Sequence, residues 1–255
     1  MIKRCSLTLL IISSVFSSLI AQSVQFTDTV FHLNDGKTIS SIVTYQVLHN
    51  DTLREGPAFY YFNSGQLWQK GFHKNDREDS LWVIYYPNGH INKEIRYEEG
   101  RKNGDFTFYF ENGAVKTAGT YYQDSLTGLM TIYYENGTAN ESRNYSGNKL
   151  NGLMTGYYTD GTVNYRINYV DSIPNGLLES FFPSGKIKEK GTVQGQLFYG
   201  EYSSFYENGQ VEKEFSYKNF NIDGPYVVYW DNGNVKASDT YINGKLEGPG
   251  YLFYK

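Results

Sequence analysis

From Gly56 onward the sequence repeats every 24 residues, and this period constrains the fold more than any other feature. Eight full rows align without an inserted or deleted residue, and they begin at Gly56, Ser80, Gly104, Gly128, Gly152, Gly176, Gly200 and Gly224. A ninth row begins at Gly248 and has eight residues. Such a fixed period is typical of an array of one supersecondary unit. Positions within a row are numbered here as columns 1 to 24.

Two adjacent columns predict a tight turn in the middle of each row. Column 10 is glycine in every full row: Gly65, Gly89, Gly113, Gly137, Gly161, Gly185, Gly209 and Gly233. Column 9, before it, is Ser64, Asn88, Asn112, Asn136, Asp160, Ser184, Asn208 and Asn232. Asn-Gly and Asp-Gly between apolar residues favour a two-residue type I′ turn, in which both central residues have positive φ. Each row is therefore predicted to be a β-hairpin.

A two-residue turn also predicts the register of the hairpin and its two faces. Column 7 would oppose column 12, column 5 would oppose 14, column 3 would oppose 16 and column 1 would oppose 18. Columns 3, 7, 12 and 18 are mostly apolar or aromatic, so this face is predicted to be buried, whereas column 13 would lie on a polar face. The fold class predicted is all-β: an elongated array of antiparallel β-hairpins in one twisted or curled sheet. We expect curling, or a twisted trough, because a flat sheet would leave its apolar face bare.

Column 6 is aromatic in every row although it is predicted to lie on the polar face. Its members are Tyr61, Tyr85, Tyr109, Tyr133, Tyr157, Phe181, Phe205, Tyr229 and Phe253. One interpretation is that these rings pack against neighbouring strands and stabilise the sheet. The other is that they form a ladder for stacking on an extended peptide or glycan, with rings about 10 Å apart, which is two strand spacings. We treat this aromatic ladder as the candidate binding site.

The two ends of the chain depart from the rows. Residues 1–22 are predicted to be a cleavable signal peptide, because Lys3 and Arg4 precede a short apolar run and Ala21 offers a small residue for cleavage. The alternative is an N-terminal membrane anchor. Residues 23–55 are predicted to form an atypical cap hairpin, rows one to eight span 56–247, and 248–255 form a half-repeat strand that closes the sheet.

One row signature resembles a known repeat. The sequence GLMTIYYENGTANESRNYSG, from Gly128 to Gly147, follows the pattern G-x-x-x-x-Y-Y-x-N-G…Y-x-x-G and is similar to the MORN-repeat variant of bacterial proteins. The resemblance covers the chain from about Gly56 to its end. It implies a stack of β-hairpins in an elongated, gently twisted sheet. It also implies roles as scaffolds, as membrane- or lipid-associated modules, as regions beside enzymes, or as antitoxins.

Catalytic and metal chemistry is not indicated by the sequence. The histidines are His32, His49, His73 and His90, the single cysteine Cys5 precedes the apolar run, and no ligand spacing typical of a metal site is present. No nucleophile–base pattern or phosphate loop occurs. We therefore expect no enzyme activity, no cofactor and no metal.

Charge bears on the choice of partner. Removal of residues 1–22 takes away Lys3 and Arg4, which leaves 21 basic residues against 27 acidic ones, a net charge of −6. An acidic chain disfavours nucleic acid. The sequence predicts an exported, non-catalytic protein- or peptide-binding scaffold of the cell envelope, in the periplasm, on the outer surface or secreted. A glycan or a lipid is an alternative ligand, and a membrane-surface module or an antitoxin-like partner of a toxin is an alternative role.

Overall fold

The computed structural model describes residues 23–48 and 51–255, and they form 21 β-strands paired in antiparallel fashion. The predicted all-β fold of hairpins is confirmed. In this part of the chain there is no helix, and so none that could cross a membrane. The predicted signal peptide and His49 lie outside the described residues. The chain divides into two compact units, residues 1–125 and 126–255, and each is described by itself.

The first unit contains eight strands, each paired with its neighbour in the sequence. They are β1 (Val24–Phe31), β2 (Ile39–Leu48), β3 (Asp51–Tyr61), β4 (Leu67–Lys74), β5 (Arg77–Tyr85), β6 (Ile91–Glu98), β7 (Arg101–Tyr109) and β8 (Val115–Tyr122). β1 and β2 form a hairpin ahead of the rows, and β2 then pairs with β3, the first strand of row one. This hairpin lies within residues 23–55, the range of the predicted cap, and β3 begins in the same range at Asp51.

The second unit continues the same pattern to the end of the chain. Its strands are β9 (Ser125–Tyr133), β10 (Ala139–Ser146), β11 (Lys149–Leu150), β12 (Gly152–Tyr157), β13 (Val163–Val170), β14 (Ile173–Phe181), β15 (Ile187–Gln194), β16 (Leu197–Phe205), β17 (Val211–Lys218), β18 (Asn221–Tyr229), β19 (Val235–Ile242), β20 (Lys245–Leu246) and β21 (Tyr251–Leu252). β10 pairs with β9, β11 and β12, and β19 pairs with β18, β20 and β21. Among the described strands of either unit, no pairing closes the sheet on itself. The expected curling is therefore wrong.

The turn inside each row differs from the predicted type I′ turn. In row one the Gly65 N–H donates to the Phe62 carbonyl over 2.9 Å, and the Phe62 N–H donates to the Gln66 carbonyl over 2.8 Å. Gly65 has a φ of 83°, whereas Ser64 does not have a positive φ. This is a three-residue loop that ends with a glycine in the left-handed conformation and forms a G1 bulge. The other full rows repeat these two hydrogen bonds.

A second bulge, near the turn, changes which columns share a face. Tyr60 opposes Gln69 as predicted, but Tyr61 opposes Leu67, so that Trp68 is an extra residue in its strand. The same shift occurs in all eight full rows. Column 12 therefore lies with column 6 on one face, and column 13 lies with columns 5 and 7 on the other. The sequence-based assignment of columns 12 and 13 was wrong by one residue, which reverses their faces.

Type I′ geometry is found instead at the connection between rows. Columns 20 and 21 contain the two central residues of these turns, and both have positive φ in pairs such as Asn75–Asp76, at 49° and 64°, and Asn219–Phe220, at 50° and 64°. Because these connections have only two residues, the strands extend into columns that were predicted to be loops. Aspartate and asparagine tolerate this backbone region, but a phenylalanine there is strained by about 1–2 kcal/mol.

The face that carries columns 5, 7 and 13 is called the first face, and the face that carries columns 6 and 12 is called the second. Columns 3, 16 and 18 form the buried centre of the first face, as predicted. Trp82 is 4% exposed and packs in a cluster with Ala58 and Val43 in the first unit. Its ring lies directly over Gly71, where an added Cβ would come within 2.2 Å of the indole. A large residue in column 3 of one row therefore fits over a small residue in column 16 of the preceding row. Packing joins consecutive rows rather than two sheets.

His73 is a buried titratable group in this core. It is 2% exposed, its ring lies 5.0 Å from that of Trp82, and Arg54 Nη1 donates to its Nε2 over 3.3 Å. The imidazole Nδ1 is buried without a hydrogen-bond partner among the described residues. Burial, followed by the charge of Arg54, lowers the pKa of His73. The folded state therefore holds this histidine neutral.

We expect the free energy of unfolding to decrease as the pH falls below about 6.5. The folded-state pKa of His73 lies below its ordinary value of about 6.5, so the unfolded chain takes up a proton first and stability is lost as the pH falls below that value. Urea denaturation at several pH values would measure this slope. His73→Gln, which does not titrate, should flatten it, whereas His90→Gln, on an exposed histidine, should leave it unchanged. An equal slope in the His73→Gln variant would contradict this account.

We also expect Phe220→Asn to raise the free energy of unfolding by about 1 kcal/mol, because asparagine adopts the left-handed backbone region with less strain. Thermal or urea denaturation would measure the gain. Lys218→Asn, two residues earlier and not at a positive φ, serves as the control for the change of residue type. An unchanged or lower stability of the Phe220→Asn variant would show that Phe220 is not strained.

Candidate functional site

The aromatic ladder is half-buried rather than free on the surface. Eight of its nine rings have intermediate exposure, and only Phe253 is exposed, at 49%. Each ring in the full rows lies directly opposite an aliphatic residue of column 12 on the same face. These residues are Leu67, Ile91, Val115, Ala139, Val163, Ile187, Val211 and Val235. The second face therefore carries an aromatic and aliphatic strip instead of an isolated aromatic column.

Ladder tyrosines donate hydrogen bonds to column 15 of the preceding row. Tyr109 Oη donates to Glu94 Oε2 over 2.6 Å, and Tyr229 Oη donates to Glu214 Oε1 over 2.5 Å. Burial and the Glu94 carboxylate raise the pKa of Tyr109, whereas the hydrogen bond to Glu214, with burial second, raises the pKa of Tyr229 to about 12. Both phenols remain protonated donors at neutral pH.

In the full rows, where the ladder residue is phenylalanine, column 15 of the preceding row carries a cation. The guanidinium of Arg166 lies 5.3 Å from the centre of the Phe181 ring, and the ammonium of Lys190 lies 5.7 Å from that of Phe205. Lys70 is placed in the same way over Tyr85, at 5.8 Å. Each contact is within the range of a cation–π interaction. Column 15 thus contacts the next row's ring through a carboxylate or a cation, and Lys70 shows that a cation also lies over a tyrosine.

This pairing was missed in the sequence, although a signal was present. Column 15 lies fifteen residues before column 6 of the next row, so the pairs are found only when consecutive rows are compared at that offset. Glutamate precedes tyrosine in Glu94–Tyr109 and Glu214–Tyr229, and a basic residue precedes both full-row phenylalanines. The other three tyrosines with a preceding row follow lysine, alanine or serine. The correlation reflects a hydroxyl that needs an acceptor and a bare ring that attracts a cation.

Tyrosines in column 7 fix the backbone of the ladder. Tyr86 Oη donates to the carbonyl of Tyr109 over 2.8 Å, and Tyr158 Oη donates to the carbonyl of Phe181 over 2.7 Å. Tyr206 makes the same bond to the carbonyl of Tyr229, at 2.8 Å. In each case the acceptor is the ladder residue of the following row, so where column 7 is tyrosine the backbone of the next ladder position is held by the hairpin before it.

Asparagines in column 9 join one turn to the next. Asn136 Oδ1 accepts from the Thr138 N–H over 3.0 Å, while its Nδ2 donates to the Thr159 carbonyl in the following row over 3.0 Å. Asn88 and Asn208 have the same two kinds of partner. The amide side chain, rather than tolerance of positive φ, therefore accounts for asparagine at this column.

The described histidines occupy separate structural positions. His32 Nε2 lies 3.2 Å from the Phe62 carbonyl, and His90 Nδ1 lies 2.6 Å from the Glu111 carbonyl. His73 is buried under Trp82. Residues 23–48 and 51–255 contain no group of three or more possible metal ligands.

We expect that a glutamate–tyrosine pair between columns 15 and 6 can be replaced by a lysine–phenylalanine pair with little loss of stability. Tyr109→Phe removes the hydroxyl and leaves the Glu94 carboxylate without that donor, which should cost about 1 kcal/mol of stability. Adding Glu94→Lys should recover most of the loss by forming the lysine–phenylalanine pair seen at Lys190 and Phe205. Urea denaturation of the single and double variants would give the coupling energy.

Glu99→Lys in the Tyr109→Phe background provides the matched control, since it makes the same charge change in an exposed turn. It should not recover stability. If the Glu94→Lys and Glu99→Lys variants behave alike, the recovery comes from net charge, and the pairing does not hold.

Comparison with known families identifies the repeat. A family model described as MORN repeat variant matches seven segments, which together cover more than half of the chain: residues 54–75, 78–99, 102–123, 150–171, 174–194, 198–219 and 222–243. Residues 126–147 are outside these matches, although β9 and β10 form the same hairpin there. The comparison with curated proteins found no match.

Among solved structures, the chain is similar to a porin-like protein from Bacteroides uniformis ATCC 8492 at 10% sequence identity. The similarity covers 91% of this chain and 93% of that chain, with a TM-score of 0.21, which is too low to support an argument. The family assignment therefore depends on the seven repeat matches and on the 24-residue hairpins that coincide with them. The chain belongs to the MORN repeat variant family.

Proposed function

We propose that this protein is an exported, non-catalytic scaffold of the cell envelope that binds an extended segment of another protein along its aromatic ladder. The observation that carries the proposal is the regular placement of one ring per hairpin, most of them held by side chains of the preceding hairpin. Rigid aromatic anchors provide contact area at a low cost in conformational entropy. A ladder that is fixed before binding is suited to this role.

The spacing of the ladder indicates the conformation of the segment that would fit it. Within each unit, successive rings are separated by two strand spacings, or about 10 Å. A polyproline II segment rises about 3.1 Å per residue, so every third residue recurs on one side after about 9 Å. Such a segment, running across the strands, would present one side chain to each ring. Recognition of polyproline II segments by aromatic grooves is a recurring binding mode.

Charges beside the ladder would contribute specificity. Within the second unit, Arg166 and Lys190 flank consecutive rings, and Glu214 flanks the ring after them. These groups already contact the ladder and remain partly exposed. A partner segment with acidic residues towards Phe181 and Phe205 and a basic residue towards Tyr229 would be complementary.

Export is supported by the sequence of residues 1–22, and a protein partner is supported by the charge. The chain without these residues has a net charge of −6 and no polybasic cluster, which disfavours attraction to an anionic membrane surface. The partner would therefore be met in the envelope or outside the cell.

We expect the ladder variant Tyr157→Leu/Phe181→Leu/Phe205→Leu to lose partner binding while remaining folded. Leucine preserves apolar contact with column 12 but removes the flat ring. Crosslinked affinity capture from native envelope extracts, followed by mass spectrometry, would compare this variant with the unmodified protein. A partner recovered at least about tenfold less with the variant would support the proposal.

The control variant is Leu153→Ser/Leu177→Ser, which removes exposed apolar side chains from the same unit but outside the ladder. It should capture the partner normally. Equal capture by all three proteins, with circular dichroism showing intact strands, would exclude the ladder as the binding site.

We further expect the protein recovered from its native host to lack about the first 21 or 22 residues. Intact mass measurement and N-terminal sequencing of the envelope and culture fractions would show the cleavage. Lys3→Glu/Arg4→Glu, which removes the basic start of the segment, should reduce the processed fraction. Full-length protein confined to the cytoplasm would contradict export.

A further inference from the structure

A cavity of about 430 Å³ lies between rows six and seven of the second unit. It is lined mainly by first-face residues, among them Tyr202, Ser204, Tyr206, Glu189 and Glu212. The volume is in the range of small-ligand sites, and rings with a few convergent polar groups are typical linings of such sites. The ladder residue Phe205 also lines the cavity, but the other groups named here belong to the first face, whereas the ladder rings belong to the second.

Small residues in column 5 open this part of the first face. Column 5 is Gly156, Ser180 and Ser204 in rows five to seven, whereas rows one to four carry a tyrosine, isoleucines or a phenylalanine there. Tyr165 fills the space over Gly156, where an added Cβ would lie 2.2 Å from its ring. No ring takes that place over Ser204, which lines the cavity directly.

Equivalent positions in other rows show what this surface accepts. In row three the column-13 ammonium of Lys116 lies 5.5 Å from the centre of the column-7 ring of Phe110. In row eight the ammonium of Lys236 lies 4.4 Å from the ring of Trp230. The chain thus places its own cation over the column-7 ring in these repeats.

Row seven has the ring but lacks the cation. Its column-7 ring is Tyr206, and column 13 is Glu212 instead of lysine. Among the described residues, no basic side chain lies over Tyr206 or within ion-pair distance of Glu212. The position that holds an ammonium group in rows three and eight is occupied in row seven by a carboxylate. This carboxylate would attract an ammonium group from outside.

Three hydroxyl groups, two from serine and one from tyrosine, fix two carboxylates of the cavity. Ser204, which is 6% exposed, donates from Oγ to Glu212 Oε2 over 2.9 Å. Glu189 accepts from Ser180 Oγ over 2.9 Å and from Tyr202 Oη over 2.6 Å. Both carboxylates are held in place by neutral donors, so their negative charge is not neutralised by these contacts.

The formal charge of the lining is negative. It contains the carboxylates of Glu189, Glu207 and Glu212 and the ammonium groups of Lys188 and Lys213. A cation entering over Tyr206 would approach Glu212 and meet an aromatic face, the two groups that stabilise ammonium binding most directly.

We propose that this cavity binds a lysine side chain of a partner protein, with its ammonium group between Glu212 and the Tyr206 ring. The bound chain supplies from outside the cation that Lys116 and Lys236 supply from within their own repeats. The alkyl part of the lysine lies against the rings of the cavity, as lysine stems do on apolar surfaces.

The test uses n-butylammonium as the probe and n-butanol as its neutral counterpart, titrated into the isotopically labelled full chain by NMR. We expect saturable shifts of the Ser204, Tyr206 and Glu212 amides with butylammonium, and binding of butanol at least about tenfold weaker, since only the cation gains the charge-assisted contact. Equal perturbation by the two probes would overturn the proposal.

Glu212→Lys installs the residue that fills the site in rows three and eight, and it should abolish the saturable shifts. Glu212→Gln, which keeps the size of the side chain, should weaken binding about tenfold and keeps the test valid if the lysine variant misfolds. The control is Glu201→Lys, in the same hairpin on the other face, which makes the same charge change and should bind normally. Unchanged binding of butylammonium by both Glu212 variants would contradict the proposal. The outcome of this test does not depend on whether the ladder captures a partner.

Discussion

Within each unit, a hairpin depends on contacts with the hairpin before it, because the strands form an open sheet without a second layer. A single hairpin is at best marginally stable in water. The stabilising contacts therefore recur at the row offset: Trp82 over Gly71 in the core, and Glu94 with Tyr109 on the other face. The free energy of such an array is close to a sum of repeat terms and nearest-neighbour interface terms.

Hydrogen bonds at both ends of the strands enforce this stacking. At the turn end, the Tyr158 hydroxyl and the Asn136 amide each donate to a carbonyl of the next row. At the opposite end, Asp124 Oδ1 accepts from the Lys102 N–H in the preceding row over 2.8 Å, and Asn148 does the same for Leu126 at 2.7 Å. Bonds of this kind contribute about 0.5–1.5 kcal/mol each. Their repetition explains why no insertion or deletion interrupts the 24-residue period.

Much of the fold follows from the sequence. The period predicts the hairpins, and the opposition of columns 1, 3 and 5 to columns 18, 16 and 14 is confirmed, as at Ala58 and Gly71. The turn type was not predictable from Asn-Gly alone. A two-residue type I′ turn and a three-residue loop ending in left-handed glycine both require that glycine. The difference depends on the asparagine side chain, which bonds to the next row, and on a bulge that has no residue signature of its own.

The sequence predicts which rings form the candidate site, but it does not predict which side chains surround them. The column-6 aromatics are visible in any row, and their placement opposite the aliphatic column 12 depends on the one-residue shift at the bulge. Their column-15 partners belong to a different hairpin, so a reading of one row at a time does not reveal them. Arg166 and Phe181 illustrate the case, since each residue is unremarkable within its own row and their contact exists only because the rows stack.

Deletion of residues 176–199, one complete row, tests the dependence on row-to-row contacts most directly. Row seven would then follow row five, so that Arg166 would face the Phe205 ring and the Tyr158 hydroxyl would face the Phe205 carbonyl. We predict that urea denaturation of this variant shows a folded β-protein with a cooperative transition at reduced stability, whereas deletion of residues 188–199, half a row, abolishes the transition. Equal tolerance of both deletions, or unfolding by both, would contradict the account.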